Sequence, residues 1–132
     1  MEMIREITDS IKITSALDVY QYLEEFKNQD REHFIVLGLN TKNKVIYRDI
    51  VSIGILDSAI LHPREVFKSA VMKSAHKIIV AHNHPSGDAS PSKEDLEIFT
   101  KLKEVGEILG IGVLDCVIIG NDGYYSLNEG LK

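Results

Sequence analysis

Residues 77–82 read KIIVAH, a run too short and too apolar for another helix, set between two stretches with helical periodicity. Such a segment is satisfied as a strand buried on both faces. Upstream, Pro63 suits the first helical position, and in REVFKSAVMKSA the apolar face is Val66, Phe67, Ala70 and Val71. Downstream, Ser90 or Ser92 caps a helix that aligns Ile98, Phe99, Leu102, Val105 and Leu109, and Gly110 and Gly112 stop it. A first helix, Ser15 to about Asn28, places Leu17, Tyr20, Leu23 and Phe26 together behind a Ser15 cap. Glu32 to Asn40 and Val45 to about Ile53 form a hairpin across the turn at Asn40–Lys44, and Gly54 ends it. A second hairpin joins Val113–Gly120 to Tyr124–Leu127 through Asn121, Asp122 and Gly123. The predicted order is α-β-β-α-β-α-β-β. It implies an α/β fold with a mixed central sheet flanked by helices.

No repeat, low-complexity tract or linker divides residues 1–132, so one domain is expected. A chain of this length buries roughly two thirds of its unfolded surface and needs no metal to hold a core. Any metal is therefore expected to serve function. With 15 Lys and Arg against 20 Asp and Glu, the charge of −5 offers no general attraction to nucleic acid or an anionic membrane. The single cysteine excludes an internal disulfide and a multi-thiolate zinc site. Met1–Ser10 has no apolar stretch resembling a signal peptide, and no run approaches the roughly 20 residues of a membrane span. A cytoplasmic protein without membrane contact is expected, and composition fixes no oligomeric state.

The chemistry lies in residues 82–95, HNHPSGDASPSKED. His82 and His84 leave the end of the predicted strand, where residues i and i+2 point the same way, so two imidazoles can converge on one ion. Alone, such a pair is more often two solvated loop histidines. Pro85 and Gly87 then turn the chain, and Asp95 returns a carboxylate in the first turn of the next helix, on the face shared with Phe99 and Leu102. Two imidazoles and a carboxylate make a three-ligand zinc set with a fourth position open for water. Ser92-x-x-Asp95 is also a helix-capping pattern, and the two readings are compatible. Ser92 either caps or points into the site to hold a substrate oxygen. A chance match to His-x-His, seven residues, Ser, two residues, Asp in a chain of this length is on the order of 10⁻⁴.

The pattern resembles the JAMM motif of the MPN (JAB) metalloproteases, and HNHPSGD followed by PS and ED is similar to the RadC branch. His62-Pro63-Arg64-Glu65, Gly54-Ile55-Leu56, Leu114-Asp115, Gly123-Tyr124 and Ser126-Leu127 extend the likeness over roughly residues 28–130. The resemblance implies a cytidine-deaminase-like α/β fold, zinc on His82, His84 and Asp95, assistance from Ser92, and a remote glutamate that takes the proton of the attacking water. Glu32 matches that glutamate. Glu65, Glu94 and Asp88 are nearer in sequence, and spacing does not choose among them. The related deaminases need H-x-E with P-C-x-x-C, and neither is present. Two departures stand out. Asp115 is followed by Cys116 where RadC-like chains usually carry His, and the N-terminal helix-hairpin-helix domain that the resemblance attaches to longer members is expected to be absent. Cys116 reads as a small buried hydrophobe or as a soft neighbour of the metal. His33, His62 and His76 read as structural or solvated, and Tyr124 and Tyr125 as edge-strand packing.

Three functions follow as expectations. The first is a zinc-dependent hydrolase of peptidase or isopeptidase type acting on a peptide or protein. The second is phosphodiester cleavage, in keeping with the family's association with DNA repair, marked by a basic channel beside the histidines. A non-catalytic metal-binding interaction module is the third.

Overall fold

The computed structural model describes residues 4–6, 11–54 and 61–128. Ile55 and Leu56 of the family likeness lie outside these residues. Six strands make one sheet: β1 (Ile4–Glu6), β2 (Glu32–Leu39), β3 (Val45–Gly54), β4 (Lys77–Asn83), β5 (Gly112–Ile119) and β6 (Tyr124–Ser126), in the spatial order β1-β3-β2-β4-β5-β6. Only β4 and β5 pair in parallel, joined across helix α3 (Lys93–Leu109), and the other pairs are antiparallel. The sheet is mixed, as the two hairpins and one crossover require.

Side chains of β2 and β4 alternate between two cores. Phe34, Val36, Ile78, Val80 and Cys116 face α2 (Pro63–Met72) and α3, packing on Val66, Phe67, Ala70, Ile98, Phe99 and Leu102. Ile35, Leu37, Leu39, Ile79, Ala81 and Val117 face α1 (Ala16–Tyr22), where Ala16, Val19, Leu23 and Phe26 cover them. Central β4 is buried from its second residue to its last. Burial on both faces explains the unbroken apolar run of KIIVAH.

From α1 onward the elements follow the predicted order, with β1 added ahead of them. The structure corrects several details. The first helix ends at Tyr22 rather than near Asn28, and a 3-10 turn, Glu24–Phe26, carries the chain on. Arg48 accounts for that turn: its guanidinium grips both Glu25 carboxylate oxygens, at 2.6 and 3.3 Å, and lies over the ring of Phe26. Leu17, Val71 and Leu109, expected on apolar faces, are exposed at the margins of their helices. Helix α2 stops at Met72, before Ser74 takes a left-handed conformation. Ser15 caps α1 and Ser92, not Ser90, caps α3. Among the described residues no helix is long and apolar enough to cross a membrane.

Candidate metal centre

The alternation that builds the cores also aims the site. On β4, Ile78, Val80 and His82 point toward α3, and the antiparallel register sets Phe34 of β2 against His82. The Phe34 ring stacks on the His82 imidazole with centroids 6.1 Å apart. Glu32, two residues before Phe34, projects to the same face. Beyond β4 the chain turns sharply. Gly87 N–H donates to the His84 carbonyl at 2.9 Å around Pro85 and Ser86, and Gly87 adopts φ +89, which disfavours any side chain. A Cβ at Gly87 would also strike the Asn121 amide at 2.6 Å. His84 N–H donates to the Ile119 carbonyl on β5, fixing the second histidine to the sheet.

Helix α3 then delivers the carboxylate. Ser92 and Asp95 form a capping box: Ser92 Oγ accepts from Asp95 N–H at 3.2 Å, and Ser92 N–H donates to Asp95 Oδ2 at 2.7 Å. Capping and site building are one arrangement, because the box pins the Asp95 side chain at the helix mouth. His82 Nε2 lies 2.6 Å from Asp95 Oδ1 and His84 Nε2 3.2 Å from Asp95 Oδ2. The imidazole centroids are 4.9 Å apart. Asp95 and His82 are each 1% exposed. Burial alone would raise the Asp95 pKa, but the two imidazoles and the Ser92 N–H outweigh it and hold the carboxyl far below the usual carboxylate range.

His84 Nδ1 lies 2.9 Å from the Asp88 carbonyl, which holds a proton on this nitrogen and leaves Nε2 as the nitrogen that faces Asp95. His82 differs: close to Asp95 as it is, neither ring nitrogen has a hydrogen-bond partner of proper geometry among the described residues. A fully buried imidazole left so is expensive, and a cation between the imidazoles and the carboxylate would satisfy it. The donor set, two imidazole nitrogens and a carboxylate, is that of zinc and related first-row ions. Ligand atoms of Glu32, His82 and His84 also lie within 4.8 Å of one another.

The structure therefore brings together all five residues singled out by sequence: His82, His84, Asp95, Ser92 and Glu32. Glu32, His84, Pro85, Ser86, Ser92, Glu94 and Asp95 line an open cleft of about 450 Å³. Glu65 is elsewhere, on α2 beside Asp49 and Ser69. The Asp88 carboxylate is turned to its own loop, accepting from Ser90 N–H at 2.9 Å. Cys116 is buried in the α2/α3 core, and desolvation pushes its thiol pKa well up, followed by the charges of Asp95 and Asp115. It fills space as a small hydrophobe.

Sequence reasoning passed over two groups. One is the Asp88 backbone carbonyl, which no side-chain pattern announces. Asn83, the residue between the histidines, is the other. It is fully buried and points to the opposite face of β4, where its Oδ1 accepts from His33 N–H at 2.7 Å and its Nδ2 donates to the Arg31 carbonyl at 2.8 Å. Period-2 alternation signals the change of face, but not the contact with a segment some fifty residues away.

Residues 13–131 match the RadC-like JAB domain family. The chain belongs to the RadC-like JAB family. Similar relatives include a UPF0758 protein of Staphylococcus haemolyticus, 52% identical over 95% of this chain and 55% of that protein. A UPF0758 protein of Methanosarcina mazei is 50% identical over 89% of this chain and 52% of its own length. One from Methanococcoides burtonii is 53% identical with the same coverage. This chain thus spans about half the length of the curated relatives it matches. The mixed α/β architecture agrees with the JAB/MPN fold that the RadC-like sequence implies.

Proposed function

We propose that this RadC-like domain is a zinc-dependent hydrolase of peptide or isopeptide bonds. The observation that carries the reading is the convergence of His82 Nε2, His84 Nε2 and the Asp95 carboxylate at the floor of a cleft, with Glu32 beside them. His82, His84 and Asp95 hold the ion. Zinc bound there supplies a water of lowered pKa and polarises a carbonyl. Glu32, beside the histidines, would be the group to take a proton from the attacking water and return it to the leaving amine. Ser92 Oγ is occupied as an acceptor from Asp95 N–H, which leaves its O–H free to donate to a substrate oxygen as negative charge develops.

The lining chemistry favours peptide over polyanion. Glu32 and Glu94 border the cleft, and the adjoining hollow, lined by Asp30, Arg31, Glu32, Gly54 and Pro85, adds a single cation. A phosphodiester backbone would meet like charge there. The basic channel expected of a nuclease is not formed by these residues.

The test is a panel of peptides, isopeptide-linked conjugates and nucleic acids, incubated with the zinc-loaded parent and with Glu32→Gln. A peptide or isopeptide bond is expected to be cleaved, and the Gln variant is expected to keep zinc and fold while losing roughly 10²- to 10⁴-fold in rate, the scale of a general base. Cleavage confined to nucleic acid overturns the substrate class. Zinc binding with no cleavage at all supports the interaction-module reading instead.

A further inference from the structure

Glu32 opens β2 where the β2/β4 ladder has ended, its last pair on this side being Phe34 with His82. The next step would set His33 against Asn83 and the one after it Glu32 against His84, yet the chain has already bent into the His84–Gly87 turn, so backbone pairing stops short of the glutamate. The Asn83 amide takes over where the ladder fails. Its oxygen accepts from His33 N–H and its nitrogen donates to the Arg31 carbonyl, so one side chain grips the backbone on either side of Glu32. Both bonds are made by a residue with no exposure to solvent, where an amide left unpaired would be costly. On the other side Glu32 pairs with Gly54, the last residue of β3.

We infer that Asn83 is a positioning residue: it locks the Arg31–His33 backbone so that Glu32 stands beside the two histidines. The same three-residue segment, His82-Asn83-His84, thereby sends imidazoles to one face of the sheet and fixes the glutamate's backbone from the other. This rests on the assignment of Glu32 as proton carrier.

Cobalt(II), loaded in place of zinc, reports the site through its visible absorption without any substrate. Removing the Glu32 charge takes away a group that favours the protonated form of a bound water, so Glu32→Gln is expected to move the midpoint of the absorption pH profile to lower pH. Asn83→Ala is expected to bind cobalt one per chain and to move the midpoint in the same direction by at least half as much. The double variant is expected to add little to Glu32→Gln, because both changes act through one carboxylate. An unmoved midpoint in Asn83→Ala, or full additivity in the double variant, overturns the positioning role while leaving Glu32 in place. No shift in Glu32→Gln itself overturns the proton-carrier reading and this inference with it. Should Asn83→Ala fail to fold, Asn83→Leu keeps the volume and removes both bonds without adding a charge, and the same shift is expected and the same outcomes decide.

Discussion

His84 shows how far one side chain's surroundings set its behaviour. Its pKa is raised above the ordinary 6.5, because the Asp95 carboxylate bonds its imidazole, against the opposing effect of burial, with the Asp88 carbonyl assisting. A group whose folded pKa is raised stabilises the fold fully below its unfolded pKa and loses that contribution as pH rises through the folded value. The metal-free chain is therefore expected to lose stability in urea as pH climbs past the ordinary histidine value of 6.5 and through the raised folded one, and His84→Ala to flatten that dependence. An equal slope in the variant would assign the effect to another group. Asp95, with its pKa depressed, remains ionised throughout this window and contributes no slope. At this scale the sequence was most readable for His82, His84 and Asp95, because strand alternation and a capping box tie residue spacing directly to direction. Glu32 was readable only through family likeness, since the turn of chain that returns it to the site leaves no periodic trace.

Among the elements, the β2/β3 hairpin contains a close approach that the sequence does not display. Gly38 pairs with Tyr47, and a Gly38 Cβ would strike Cε2 of the fully buried Tyr47 ring. Gly38→Ala is expected to cost about 1–3 kcal/mol in denaturant unfolding, as overpacking does, although alanine suits a strand better than glycine elsewhere. A neutral result would show that the Tyr47 ring can swing clear. Helix margins explain the misread apolar residues: Leu17, Val71 and Leu109 fit a helical repeat, but a repeat gives the stripe and not its width. The short strand β1 was missed because three residues are too few for alternation to register.

For the molecule as a whole, two cores on opposite faces of one sheet carry the stability, and the candidate metal site sits at the edge of one of them. His82 and Asp95 are fixed by β4 and by the α3 capping box, elements anchored on the apolar packing of Phe34, Ile98 and Leu102. Chelation is accordingly expected to leave the far-UV circular dichroism and cooperative unfolding intact, with a lower melting temperature set by lost binding free energy. Collapse of the fold on chelation would make the site structural and remove the main support for catalysis. The central claim is that these three side chains hold zinc, and anomalous diffraction at the zinc edge from crystals of the zinc-loaded chain tests it most directly. The account predicts one strong peak per chain, roughly 2.0–2.2 Å from His82 Nε2, His84 Nε2 and an Asp95 carboxylate oxygen, and no such peak in Asp95→Ala. A peak elsewhere, or none between these residues, would contradict it.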